Sequence, residues 1–172
     1  QEMLRKKPNL HLDGVRKNLI GHLQSNKASQ IVGEVDMIES VDSLKIAREI
    51  SKQALKKGIV QDVLVEVNIG REESKTGIMP ECVEDLLGQM GELSGLRVCG
   101  LMAIPPICDN TTELCKFFEN MYNMYVDIGS KKLDNVYMNV LSMGMSGDFS
   151  EAIRSGANHI RVGSKIYGPR IY

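Results

Sequence analysis

The chain has 172 residues, of which 42% are hydrophobic and 25% are charged, a balance typical of one globular domain with a sizeable core. Its net charge of −1 excludes the strong positive field that binding to nucleic acid or anionic membranes requires. No apolar run approaches the ~18 residues that a membrane span needs. Partners of both kinds are therefore not expected.

The N-terminus carries no recognisable targeting segment. Residues 1–7 lack the apolar core of a signal peptide, and the chain begins with Gln1 instead of an initiator methionine. We therefore expect that the chain starts inside a longer protein.

The cysteines and histidines do not form a metal-binding pattern. No two cysteines have C-x-x-C spacing, and the histidines are scattered along the chain. The sequence therefore predicts no metal site, and free, mostly buried thiols in a reducing compartment such as the cytoplasm. The residues concerned are Cys82, Cys99, Cys108, Cys115, His11, His22 and His159.

Six strand-like segments alternate with helical segments along the chain. The strand at 62–69 has the clearest pattern, and Leu44, Ala47, Ile50 and Ala54 share one face of a helix at helical spacing. The predicted strands span residues 18–23, 35–41, 62–69, 96–104, 136–143 and 159–163. The predicted helices span residues 25–32, 43–57, 80–93, 114–124 and 147–154.

Regular alternation of strands and helices predicts an α/β fold with a parallel sheet that helices cover. Two architectures fit this pattern. One is an open, doubly wound sheet, and the other is part of an eight-stranded barrel. In both, ligands bind at the carboxyl ends of the strands, so the residues that follow each strand are the candidates for chemistry.

The ends of the last two strands have the composition of a phosphate site. Residues 142–147 and 161–164 combine glycines with serine hydroxyls, and such turns present free backbone N–H groups to anions. Arg161 lies inside an apolar strand, where a charge is rarely buried without a partner. It is either part of a structural ion pair or a fixed cation directed into a pocket at the strand ends.

Several sequence words resemble those of the YggS/PROSC family, the pyridoxal phosphate homeostasis proteins. They occur in order along the whole chain. The words are IGHLQSNK at 20–27, ESKTG at 73–77, GLMAIP at 100–105, LSMGMS at 141–146, and RVGS at 161–164 followed by YGPRIY at 167–172.

The resemblance implies a TIM-type (β/α) barrel of the alanine racemase N-terminal kind, with pyridoxal 5′-phosphate (PLP) at the strand ends. Ser142, Gly163 and Ser164 would bind the cofactor phosphate, with Ser146 as an additional candidate beside them. Arg161 would face the pyridine nitrogen. Because a guanidinium does not give up a proton, the ring nitrogen would stay unprotonated and the ring would be a poor electron sink.

Some features of the family are missing or altered. The word that carries the family's Schiff-base lysine and the end of a second strand are absent, so we expect that lysine upstream of Gln1 and six of eight strands in this chain. Asn18 stands where histidine is usual, Lys165 where small residues are usual, and Tyr167 where phenylalanine is usual. Lys165, Lys75 and Lys27 follow strands, but we expect none of them to replace the missing lysine.

The sequence thus predicts a single PLP-binding barrel domain over 1–172, without a catalytic residue of its own, that buffers PLP and delivers it to PLP-dependent apoenzymes in the cytoplasm. A phosphate or sulfate could occupy the site in place of PLP. Two alternatives remain: an amino-acid racemase-like enzyme on the same barrel, and an unrelated phosphate-binding barrel isomerase. The isomerase would need a carboxylate base at a strand end, for which Glu39 and Glu66 are the candidates.

Overall fold

The computed structural model describes residues 13–168, so the predicted domain limits and the terminal motif residues 169–172 lie outside the described part. The strands are β1 (Asn18–Leu19), β2 (Met37–Val41), β3 (Gln61–Val67), β4 (Leu96–Ala103), β5 (Val136–Met145) and β6 (His159–Arg161). The helices are α1 (Ala28–Ile31), α2 (Leu44–Lys56), α3 (Val83–Gly91), α4 (Thr111–Ser130), α5 (Phe149–Arg154) and α6 (Ser164–Tyr167). Short 3₁₀ turns at Ser25–Lys27 and Pro80–Cys82 lead into α1 and α3.

The order of the strands decides between the two predicted architectures. All neighbouring strands are parallel, and they follow one another as β1-β2-β3-β4-β5-β6 without a reversal. A doubly wound sheet reverses its strand order at a switch point, whereas a barrel adds each strand beside the previous one. The fold is therefore a half-barrel of the TIM type, which confirms the predicted fold class.

The two faces of the sheet are buried against different partners. Outward-facing strand residues such as Ile38, Val65 and Leu141 pack with the apolar faces of the helices in one large cluster. The inner face has a small cluster of its own, which consists of Met37, Leu64, Cys99 and Met102 with Val140 against it. Within the described residues this inner cluster contains strand residues only, as expected for the interior of a barrel.

The observed strands are shorter than predicted at both ends of the sheet. β1 ends at Leu19 and not at residue 23, because the chain turns away at Gly21, whose carbonyl accepts a hydrogen bond from Ser40 Oγ at 2.8 Å. β6 ends at Arg161, since Gly163 already begins the turn into α6. In the described part of the chain, no helix has the length and apolar character needed to cross a membrane.

Gly100 lies at an irregularity in the register between β4 and β5 and allows the two strands to pair closely there. The register between these strands shifts between Val98 and Gly100, and Gly100 has a φ of +152°. A Cβ atom at this position would collide with the carbonyl of Val140 on β5. Because that neighbour is backbone in the middle of the sheet, it cannot move aside without breaking strand pairing.

We therefore expect Gly100→Ala to lower the free energy of unfolding by about 3 kcal/mol, through strain and the steric clash. Gly88→Ala is the matched control, because Gly88 lies on the exposed face of α3 and the added methyl would meet no atom within 4 Å beyond the backbone of its own helix. It should raise the free energy of unfolding by up to about 1 kcal/mol. Urea denaturation measures the free energy of unfolding of both variants. Equal effects of the two substitutions would contradict the proposed steric role of Gly100.

Candidate functional site

A cavity of about 650 Å³ opens at the carboxyl ends of β5 and β6. This volume lies within the range of small-molecule sites in proteins. Three of its lining segments are turns that follow strands, as the barrel architecture predicts. The lining residues are Ile20, Met145, Ser146, Gly147, Arg161, Val162, Gly163, Ser164, Tyr167 and Gly168.

Ser146 connects the loop after β5 with the loop after β6, and both loops line this cavity. Its Oγ accepts hydrogen bonds from the backbone N–H groups of Gly163, at 3.0 Å, and Lys165, at 3.4 Å. The loop after β5 is therefore held against the loop after β6. Close packing of α5 on β5 also depends on Gly144, whose φ is +92° and whose added Cβ would lie 2.5 Å from the Cβ of Ala152.

Arg161 is the buried cation at this end of the half-barrel, with 9% of its surface exposed. Its Nη1 donates to Ser142 Oγ at 2.6 Å, and its Nη2 donates to the carbonyl oxygen of Ala103 at 2.8 Å. Its Nε is buried and has no hydrogen-bond partner among residues 13–168. Burial lowers the pKa of the guanidinium, whereas Glu39, Asp148 and Glu66 act in the opposite direction.

Ser142 belongs to a buried network of hydrogen-bonded side chains that includes Arg161. It is fully buried, and its Oγ donates to Glu39 Oε2 at 2.6 Å while it accepts from Arg161. Glu39 is also fully buried, and its Oε1 accepts from Asn18 Nδ2 at 2.9 Å and lies 3.3 Å from His159 Nε2. Four strands thus contribute polar side chains to one connected group.

The structure brings most of the predicted site residues to one place. Arg161, Ser146, Gly163 and Ser164 line the same cavity, whereas Ser142 does not line it and meets this group through Arg161. The sequence patterns did not indicate Asn18 or His159 as partners of Glu39. The sequence feature that could have indicated Asn18 and His159 is that each is a polar residue inside an apolar strand, which is unusual for a buried sheet.

The two carboxylates that were candidates for a base are both buried and engaged. Glu39 is enclosed by its partners, and Glu66 accepts a hydrogen bond from Thr76 Oγ1 at 2.6 Å. Burial raises the pKa of Glu66, the Thr76 hydrogen bond opposes this effect, and nearby Asp42 adds to the rise. Neither carboxylate lines the cavity at the ends of β5 and β6.

The three lysines that follow strands are not among the residues that line the cavity. Lys165 Nζ is 4.6 Å from the centre of the Phe149 ring, so this side chain folds over α5. Lys75 Nζ lies 2.8 Å from Glu72 Oε2 in the loop after β3. Within residues 13–168, no lysine lines the cavity.

Comparisons with known proteins identify the relatives of this fold and site. The sequence model of the alanine racemase N-terminal domain matches residues 4–170. The chain is 40% identical to the pyridoxal phosphate homeostasis protein of Aquifex aeolicus over 172 residues, which are all of this chain and 75% of that protein. It is 36% identical to the protein of the same name from Haemophilus influenzae, over 90% of this chain and 65% of that protein.

Solved structures agree with these matches. PipY of Synechococcus elongatus, determined without PLP, superposes with a TM-score of 0.91 at 31% identity and covers 98% of this chain and 78% of its own. The same protein with PLP bound superposes with a TM-score of 0.83 at 28% identity, over 97% of this chain and 76% of its own. An alanine racemase of Clostridium difficile, only 16% identical, shares the fold with a TM-score of 0.77 over 99% of this chain and 44% of its own.

Together, the strand order, the position of the cavity and these matches define a barrel domain of the alanine racemase N-terminal kind. Within that class, the chain belongs to the pyridoxal phosphate homeostasis protein family. The resemblance of its sequence words is thereby confirmed. The chain spans between about two thirds and three quarters of the length of these two curated relatives.

The buried carboxyl of Glu66 predicts a pH-dependent stability. Because its pKa is raised in the folded protein, Glu66 favours folding below the ordinary glutamate value of 4.5 and loses this contribution as the pH rises through the folded-state pKa. The uncharged variant Glu66→Gln has no such loss. Its free energy of unfolding relative to wild type should therefore increase as the pH rises from 4.5 to 7.

Urea unfolding at several pH values measures this difference. Glu84→Gln is the control, since Glu84 is an exposed surface glutamate paired with Lys131. A difference between Glu66→Gln and wild type that stays constant with pH would contradict the assignment.

Proposed function

We propose that this chain binds PLP in the cavity at the ends of β5 and β6, and that it takes part in PLP homeostasis in the cytoplasm without catalytic turnover. In this role it would hold the cofactor and deliver it to PLP-dependent apoenzymes. The observation that carries the proposal is that Arg161 lines the cavity and that its buried Nε has no hydrogen-bond partner among residues 13–168, while small and hydroxyl residues line the same cavity. The names of the relatives and the PLP-bound PipY structure support it.

The end of the cavity near α6 fits a phosphate group. Gly147, Gly163 and Ser164 place backbone close to the cavity without bulky side chains, and Ser146 and Ser164 add hydroxyl groups. An added methyl at Gly147 or Gly163 would meet no atom within 4 Å, so the space beside these residues is open. The N–H of Gly163 is already bonded to Ser146 Oγ, so the candidate phosphate ligands here are the hydroxyl groups of Ser146 and Ser164 and the other N–H groups of these loops.

Arg161 fits the ring nitrogen of the cofactor. A buried donor without a partner is costly, and an aromatic nitrogen that accepts from Nε would remove that cost. PLP supplies enzymes with an electron sink for carbanion chemistry, which works best when its ring nitrogen is protonated. Arg161 donates a hydrogen bond but keeps its proton, which suits a protein that holds PLP more than one that uses it for chemistry.

Two further observations support a role without turnover in a reducing compartment. The cavity lining contains no lysine or carboxylate side chain within the described residues, whereas Glu39 and Glu66 are bonded to other protein groups. All four cysteines are free thiols, which is usual for cytoplasmic proteins. The engagement of Glu39 and Glu66 favours the homeostasis role over the isomerase alternative, which needs a carboxylate base at a strand end.

Two substitutions test which cavity residues recognise which part of PLP. Arg161→Lys keeps the positive charge but removes the Nε donor, so PLP affinity should fall by about tenfold or more while the affinity for inorganic phosphate changes little. Ser146→Ala should weaken the binding of both ligands. Equilibrium dialysis with absorbance detection between 330 and 430 nm measures PLP, and isothermal titration calorimetry measures phosphate.

The proposal fails if wild-type protein shows no saturable PLP binding. The assignment of the two ends of the cavity fails separately if Arg161→Lys weakens phosphate as much as PLP, or if Ser146→Ala affects neither ligand.

The positions of the lysines predict that PLP binds to this chain without a stable covalent bond to Lys27, Lys75 or Lys165. The side chains of Lys75 and Lys165 contact Glu72 and Phe149, and none of the three lysines lines the cavity. Borohydride reduction followed by peptide mapping should therefore find no stoichiometric pyridoxyl-lysine at these three positions. Reduction of free PLP with an excess of lysine is the positive control, and a stoichiometric label at any of the three would contradict the prediction.

A further inference from the structure

The hydrogen bond between Glu39 and Ser142 crosses the interior of the half-barrel. Glu39 lies on β2 and Ser142 lies on β5, with β3 and β4 between them in the sheet. The two side chains nevertheless meet at 2.6 Å, and neither is exposed to solvent. Two strands far apart in the sheet are therefore linked by a pair of side chains.

The direction of the hydrogen bond between Ser142 and Glu39 decides whether Ser142 Oγ can accept a hydrogen bond from Arg161. A serine hydroxyl has one proton, and here that proton is donated to the Glu39 carboxylate. The hydroxyl oxygen is then free to accept from Arg161 Nη1 at 2.6 Å. If the acceptor at position 39 were lost, the hydroxyl proton would have no fixed direction and the oxygen would be a less constant partner for the guanidinium.

The guanidinium has two such restraints, and its Nε is the one nitrogen without a partner among residues 13–168. The carbonyl of Ala103 on β4 holds Nη2 at 2.8 Å, and Ser142 holds Nη1. A planar guanidinium fixed at two nitrogens has its third nitrogen fixed as well. The orientation of Nε therefore depends on Ser142 and, through it, on Glu39.

We propose that Glu39 is a positioning residue that orients Ser142 and thereby fixes Arg161 Nε for recognition of the ligand's aromatic ring. Ser142 then acts on the ring end of the cavity and is not a phosphate ligand. This inference rests on the proposed function, because it assigns the source of ring recognition at the same site. Asn18 Nδ2, which donates to the second oxygen of Glu39, keeps that carboxylate in place.

Three variants separate this role from a general structural one. Ser142→Ala removes the hydroxyl, Glu39→Leu removes the acceptor at nearly the same volume, and Glu39→Gln keeps an amide oxygen for Ser142. Asn18 can turn its amide to accept from the new NH₂ group, since its Oδ1 has no partner within the described residues. Ser40→Ala is the matched control, because Ser40 is a buried residue on the same strand whose hydroxyl donates to the Gly21 carbonyl and has no other side-chain hydrogen bond among residues 13–168.

Ser142→Ala and Glu39→Leu should each weaken PLP binding by about tenfold or more, and the double variant should be no weaker than the single ones. Phosphate affinity should stay within about twofold of wild type in all of them, because Ser146, Gly163 and Ser164 are untouched. Glu39→Gln should restore most of the PLP affinity. Ser40→Ala should bind both ligands like wild type.

Side-chain NMR of the ligand-free protein gives a readout that does not require PLP. Wild type and Glu39→Gln should show an arginine Nε–H signal that exchanges slowly with water, that is absent in Arg161→Lys, and that is separate from the signal of Arg97, whose Nε donates to Asp62. In Ser142→Ala and Glu39→Leu this signal should broaden or disappear. If wild type binds no PLP, the proposed function fails, and this signal alone decides the positioning role.

The inference is overturned if the Arg161 signal is the same in wild type and Ser142→Ala. It is also overturned if Ser142→Ala keeps wild-type PLP affinity or loses phosphate and PLP in equal proportion, the latter being the behaviour of a phosphate ligand. If Glu39→Gln is as impaired as Glu39→Leu, the charge of Glu39 and not its hydrogen bond is responsible, and the proposed route through Ser142 is wrong.

Discussion

The buried positive charge of Arg161 at the carboxyl ends of the strands determines which groups must surround it. An isolated guanidinium in the protein interior would be strongly unfavourable, so Arg161 needs both hydrogen-bond acceptors and a nearby negative charge. Ser142 and the Ala103 carbonyl supply the acceptors, and Glu39 supplies the charge from the other side of the interior. The inner face of the sheet therefore carries both the apolar cluster around Leu64 and Met102 and the polar group of Glu39, Ser142 and Arg161.

This arrangement also connects strands that do not pair with one another. β2 is joined to β5 through Glu39 and Ser142, and β4 is joined to β6 through the Ala103 carbonyl and Arg161. Backbone pairing alone links only neighbouring strands, and side-chain bonds across the concave face favour a curved sheet over a flat one. The same contacts that compensate the charge of Arg161 thus help to maintain the curvature that forms the cavity.

Glu39 and Glu66 illustrate how the surroundings of a carboxylate determine its role. Both are buried glutamates on adjacent strands, and sequence reasoning treated them alike. Glu39 is surrounded by the hydroxyl of Ser142, the amide of Asn18 and the imidazole of His159. It is part of the hydrogen-bond network that includes Arg161. Glu66 has one hydroxyl partner, Thr76, and burial is the largest influence on its pKa. The difference arises from residues that are distant in sequence.

The sequence by itself determined the number and order of the strands and of helices α1 to α5, because apolar periodicity and turn residues are local properties. It did not predict the short helix α6. The sequence also indicated Arg161, Ser146, Gly163 and Ser164, since these lie where strands end and ligands bind in parallel folds. Strand and helix periodicity left the doubly wound sheet and the barrel open, and the family resemblance implied the barrel. The tertiary structure confirmed it, because strand order and the burial of one face by helices depend on long-range pairing. It also placed Ser142 between Glu39 and Arg161, a contact that spans 103 residues of sequence and that local pattern therefore does not encode.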